Sequence, residues 1–149
     1  MKRSVLILLI LCLAYMVRAQ EKVSLEYKVT RESEKVFALH IIATISPGWH
    51  IYAQIQPSGG ISIPTKITIS QSPLFVLSGK TREVGTPKKQ KVELLHLEQN
   101  IYEGTVDFIQ KVQLKVPVKT QLKGAIIYQV CTDEQCLPPV TTNFEVAIG

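Results

Sequence analysis

Two cysteines, Cys131 and Cys136, are the residues of this 149-residue chain whose types and spacing could do chemistry. They stand in the stretch YQVCTDEQCLPP, Tyr128 to Pro139, on either side of Thr132, Asp133, Glu134 and Gln135. A β-like run leads in and Pro138-Pro139 leads out. A pair at this spacing closes a short loop, and the bridge either staples a hairpin or is opened and closed in thiol–disulfide exchange. In the chain-entropy model so short a loop contributes only about 2 kcal/mol. A staple for a β-sandwich would be better placed across its two sheets. Sulfurs beside a turn are open to an attacking thiolate, which favours exchange, whereas Asp133 and Glu134 next to them disfavour thiolate formation. Spacing and composition alone leave both readings open.

Other chemistries find little support. His40, His50 and His96 lie far apart, without cysteines or carboxylates at metal-ligand spacing. There is no glycine-rich phosphate loop, no serine nucleophile elbow and no pair of catalytic carboxylates. Lys88, Lys89 and Lys91 read as a solvated basic loop. Neither a metal nor an organic cofactor is expected.

The N-terminus sets the compartment. Lys2 and Arg3 precede an apolar run from Val5 to Val17, and Val17-Arg18-Ala19 ends it. Residues 1–19 are therefore expected to be a secretory signal peptide cut after Ala19, since the run is too short to span a bilayer. Leu11 before Cys12 argues against a lipid anchor. Lys2, Arg3 and Arg18 would leave with the leader, so 14 basic side chains face 12 acidic ones and the net charge falls from +5 to +2. Nothing then points to a nucleic-acid partner. Cys12 leaves too, so three cysteines become one pair, and in an oxidising compartment a disulfide is its default state. Residues 20–149 suit one domain, with no further membrane span.

Residues that position the pair are written in period two. Val23, Leu25, Tyr27 and Val29 alternate with polar residues, and Phe37, Leu39, Ile41, Ala43 and Ile45 repeat the pattern. Ser46-Pro47-Gly48 breaks the chain before Trp49-His50-Ile51-Tyr52. Pro57, Gly59 and Gly60 mark a loop before a run from Ile61 to Ile69, and Leu74–Leu77 reads as a short strand. Gly79–Lys91 reads as a basic, turn-rich stretch, and Val92–Leu97 as a strand or structured loop. Asn100–Gly104 turns the chain into a run from Val106 to Val116, where Ile109 beside Phe108 suggests a bulge or burial on both faces. Gly124 opens a strand that delivers Cys131, and Val140–Ile148 closes the chain. About eight strands with no helical period predict an all-β, immunoglobulin-like antiparallel β-sandwich.

The combination of SPGWHIYAQ, Ser46 to Gln54, with YQVCTDEQCLPP, after a signal peptide and in an all-β context, resembles the N-terminal periplasmic domain of the thiol:disulfide interchange protein DsbD. The resemblance implies an immunoglobulin-like domain whose two cysteines carry electrons, as one component of a protein-disulfide reductase. A membrane-embedded electron donor would reduce the pair. Thioredoxin-like periplasmic proteins, serving disulfide isomerisation and cytochrome c maturation, would receive the electrons. Carried over, Cys131 and Cys136 are the redox pair, Cys136 forming the mixed disulfide and Cys131 resolving it, and Tyr52 lines the wall of the site. Family members shield the pair with a loop bearing an aromatic residue followed by glycine. KVELLHLEQ, Lys91 to Gln99, has neither, which leaves Leu94, Leu95 or His96 as the expected cap. With the chain ending at Gly149, the electron donor is expected on a separate chain. The competing expectation is an immunoglobulin-like envelope binding or assembly domain in which the bridge is only a staple.

Overall fold

A computed structural model describes residues 21–93 and 96–149. The expected leader with Cys12, and the cap candidates Leu94 and Leu95, lie outside the described residues. The period-two runs become strands: β1 (Val23–Arg31), β2 (Val36–Ile45), β3 (His50–Tyr52), β4 (Lys66–Ile69), β5 (Phe75–Val84), β6 (Lys88–Val92), β7 (Leu97–Tyr102), β8 (Thr105–Leu114), β9 (Thr120–Tyr128), β10 (Val130–Cys131) and β11 (Val140–Ile148). They pair antiparallel in three sheets, ordered β1-β2-β8-β5, β10-β3-β7-β6 and β11-β9-β4. The fold is the all-β, immunoglobulin-like sandwich that the alternation predicts. Among the described residues no helix is long and apolar enough to cross a membrane.

One core joins the sheets. Leu39, Ile41, Val106 and Phe108 come from the first sheet, Ile51, Tyr102 and Val130 from the second, and Leu122, Ile126 and Phe144 from the third. Tyr27 of β1 meets Phe144 of β11, ring centroids 5.2 Å apart. Only Gln129 separates β9 from β10, so the second and third sheets adjoin at that residue. The inward alternation runs straight through it, with Leu122, Ile126, Tyr128 and Val130 all buried in the core. Cys131 is thereby turned to the opposite face of its sheet.

Several boundaries differ from the sequence expectation, each for a physical reason. The lysine-rich stretch is the strand β6 and not a loop. It lies at the edge of its sheet, where lysines keep the unpaired side in water and discourage further pairing. Lys88 and Lys89 reach Glu103 and Glu98. β5 extends to Val84 through Gly79, because its register shifts between Ser78 and Arg82. The buried Gln110 amide fills that irregularity, donating from Nε2 to the Gly79 carbonyl at 3.2 Å and accepting at Oε1 from Thr81 Oγ1 at 2.8 Å. The bulge thus falls on the partner of β8, while Ile109 keeps a regular register with β2. Of the run expected over Ile61–Ile69, only Lys66–Ile69 forms a strand, and Ile61 is 71% exposed. The segment expected to turn at Asn100–Gly104 continues as β7 to Tyr102.

Gly124 lies inside β9 and does not open it. It is flanked by Ile69 of β4 and Phe144 of β11. A Cβ there would overlap the Thr68 carbonyl oxygen and come within 2.6 Å of Phe144 Cζ. Backbone on one side and a core ring on the other leave little room to relax, so Gly124→Ala should lower stability by roughly 3 kcal/mol. Urea unfolding, read as a lower midpoint at unchanged slope, checks this.

Candidate functional site

β10 and β3 set the site. Val130 pairs with Ile51 and Cys131 with His50, while Ile51 and Tyr52 pair in turn with Tyr102 and Ile101 of β7. Alternation sends Ile51, Val130 and Tyr102 into the core. Cys131, His50, Tyr52 and Ile101 share the other face. There Tyr52, Ile101 and Cys131 form a small buried cluster of their own, with Cys131 0% exposed.

After Cys131 the chain reverses through Thr132–Gln135. Thr132 donates its N–H to the Gln135 carbonyl at 2.8 Å, and its Oγ1 accepts from the Glu134 and Gln135 N–H groups at 3.2 and 3.1 Å. A hydroxyl caps the turn in the way such residues favour. Cys136 returns opposite Cys131 in an isolated antiparallel bridge. The two are joined as a disulfide with Cα atoms 4.1 Å apart. Leu137 N–H then donates to the Val130 carbonyl at 2.9 Å, and Gln129 Nε2 to the Leu137 carbonyl at 3.2 Å.

The two sulfurs occupy unlike environments: Cys131 is fully buried, and Cys136 is exposed. Cys136 lies on a groove of about 400 Å³ lined by Tyr52, Ile61, Gln90, Val92, Gln99 and the Thr132–Gln135 turn, among others. The Tyr52 hydroxyl lies 3.8 Å from Cys136 Sγ. Burial pushes that hydroxyl above its ordinary range, so it stays protonated and able to donate to a sulfur carrying negative charge. Gln90 Nε2 donates to Asp133 Oδ1 at 2.9 Å, tying β6 to the turn. His96 is exposed, with a left-handed backbone (φ 51°), in the loop between β6 and β7. Its N–H donates to the Glu93 carbonyl at 3.3 Å.

His50 belongs to this constellation, although its sequence context singles out only Tyr52. It is 2% exposed, its ring lies edge-on to Tyr52 with centroids 5.5 Å apart, and its Nε2 is buried without a hydrogen-bond partner. The signal was available: His50 and Tyr52 are two apart on a strand and must share a face. His40 is different. It bonds Thr30 Oγ1 at 3.0 Å and Asp107 Oδ2 at 2.7 Å across β1, β2 and β8. Those three side chains pin neighbouring strands together.

Comparison with known proteins places this geometry. The family model for the N-terminal part of the thiol:disulfide interchange protein DsbD matches residues 17–148. The chain belongs to that family. No curated protein sequence matches it. Among solved structures, the DsbD N-terminal domain of Neisseria meningitidis in its reduced form is 16% identical with a TM-score of 0.51, covering 90% of this chain and 91% of that one. The same domain in complex with the N-terminal domain of PilB is 15% identical with a TM-score of 0.55, over 87% and 86% of the two chains. The N-terminal periplasmic domain of ScsB from Proteus mirabilis gives 16% identity and a TM-score of 0.58, over 89% of this chain. This chain spans about half (48%) of that ScsB chain. At these identities the likeness concerns the fold.

Burial holds the His50 imidazole below its ordinary range, with Asp133 and Glu103 pulling weakly the other way. The unfolded chain therefore binds this proton more readily, and the folded state loses stability as pH falls below about 6.5. His50→Gln should flatten the loss of stability between about pH 7 and pH 5, measured as urea midpoints across that range.

Proposed function

We propose that the chain is an exported thiol–disulfide exchange module, working in the periplasm after removal of residues 1–19, with the Cys131–Cys136 bridge as its redox pair. The supporting observation is the unequal setting of the two sulfurs on one short hairpin. Cys131 is fully buried, so a partner thiolate approaches through the exposed cysteine, Cys136. Attack there forms a Cys136–partner disulfide and breaks the Cys131–Cys136 bond, its electron pair leaving on Cys131 Sγ. A second thiolate of the partner then attacks its own sulfur in the mixed disulfide and frees Cys136. Two electrons have passed to this chain and the partner is left oxidised. Delivery runs the same steps backwards, with Cys136 attacking the acceptor's disulfide and Cys131 resolving the intermediate.

Neighbouring groups suit these roles. The protonated Tyr52 hydroxyl stands where it can donate to the Cys136 thiolate. Ile61 on the groove and Leu137 beside Cys136 give the approach an exposed apolar rim against which a partner can pack. The family and the complex of its Neisseria member with PilB support a protein partner. The resemblance specifies thioredoxin-like acceptors and a membrane electron donor, with cytochrome c maturation as one outlet.

Single-cysteine trapping tests the reading. Cys131→Ser should accumulate mixed disulfides through Cys136 in an envelope extract. Cys136→Ser, whose remaining thiol is buried, should accumulate few. The reduction potential should lie above about −300 mV, and a value below it together with empty traps would mark a structural bridge.

A further inference from the structure

Resolution requires Cys131 to lose its proton in a place that water does not reach. With Cys131 0% exposed, the proton must be taken by a neighbouring group. The groups facing it can be enumerated by element. On β3, His50 is its direct cross-strand partner and Tyr52 lies next on the same face. β7 contributes Gln99 and Ile101 to that face, followed by Glu103, which is held by Lys88 of β6. The turn contributes Asp133, held by Gln90 of β6. Tyr52 stays protonated, Gln99 does not titrate, and both carboxylates already accept hydrogen bonds from β6. His50 is left with a buried Nε2 that has no partner. Directly opposed residues of an antiparallel pair have their Cβ atoms about 5 Å apart, within reach of an imidazole and a thiol.

We propose that His50 is the proton-exchange partner of Cys131, accepting the thiol proton at Nε2 when Cys131 resolves a mixed disulfide and returning it when Cys131 is the leaving group. The proposal rests on the exchange reading. In the resolving direction the Cys131 S–H proton moves to Nε2, and the thiolate attacks Cys136 Sγ. The Cys136–partner bond breaks, with its electron pair leaving on the partner's sulfur. The imidazolium formed lies near the Glu103 and Asp133 carboxylates, which favour it, and its proton goes back to Cys131 when the bridge is next reduced. At neutral pH the imidazole is uncharged and ready to accept. Pairing of a buried thiol with an imidazole is the activation that cysteine nucleophiles commonly use.

Single-turnover reaction of the reduced protein with dithiobis(nitrobenzoate) separates the steps. The first thionitrobenzoate released reports attack by Cys136, and the second reports closure by Cys131. His50→Gln should leave the first release within about twofold and slow the second at least about tenfold at neutral pH. The second rate should also climb with hydroxide over the range in which the wild-type rate levels off. Equal second-phase rates and pH profiles in the two proteins would overturn the assignment while leaving the exchange reading intact. Failure of the wild-type protein to release any thionitrobenzoate would overturn both. A readout on the unaltered protein covers the case of a misfolded variant. The His50 imidazole titration, followed by NMR, should shift between the oxidised and reduced states, and superimposable curves would refute the proposal.

Discussion

The pairing of Val130-Cys131 with His50-Ile51 is the constraint on which the site depends. It is only two residues long, yet it sets the face on which Cys131 lies, and the face decides everything that follows. Val130 anchors β10 in the core shared by all three sheets, so Cys131 must point away from that core. It is buried there by Tyr52 and Ile101. A shift of register by one residue would exchange the two side chains, placing the thiol among core residues and Val130 at the groove.

From that constraint the asymmetry of the disulfide follows without special devices. Cys136 comes back across a turn capped by the Thr132 hydroxyl, beside the edge strand β10, and is exposed. The groove beside it is made by the turn, the Tyr52 ring and the edge strand β6. The inner sulfur is thus placed by the sandwich and the outer sulfur by the hairpin. On the exchange reading proposed above, an ordinary immunoglobulin-like frame carries its chemistry in a few side chains on one face and not in the fold.

Much of this was legible in the residues. Long alternating runs gave β1, β2, β8 and β11 almost to their ends, because each has one face in the core and one in water. The cysteine pair stood out by type and spacing, and Tyr52 through its segment. Other features were hidden where local preference is overruled by tertiary structure. β6 is nearly all lysine and glutamine, and it is a strand because β7 offers it a pairing edge. The bulge in β5 depends on the Gln110 amide some thirty residues away in sequence. The passage from β9 into a different sheet at Gln129 leaves no mark on the alternation, so it reads as one continuous strand. His50 is a single histidine without a motif, and its relation to Cys131 exists only once β3 and β10 are paired.

The hydrogen bonds that close the hairpin have a consequence for how electrons are held. Thr132 to Gln135, Leu137 to Val130 and Gln129 to Leu137 span the same few residues as the disulfide. They do not involve sulfur, so breaking the bridge removes none of them directly. The hairpin is thus closed by hydrogen bonds as well as by the covalent link. On the exchange reading proposed above, the direction of transfer through the pair is set by the partners' potentials.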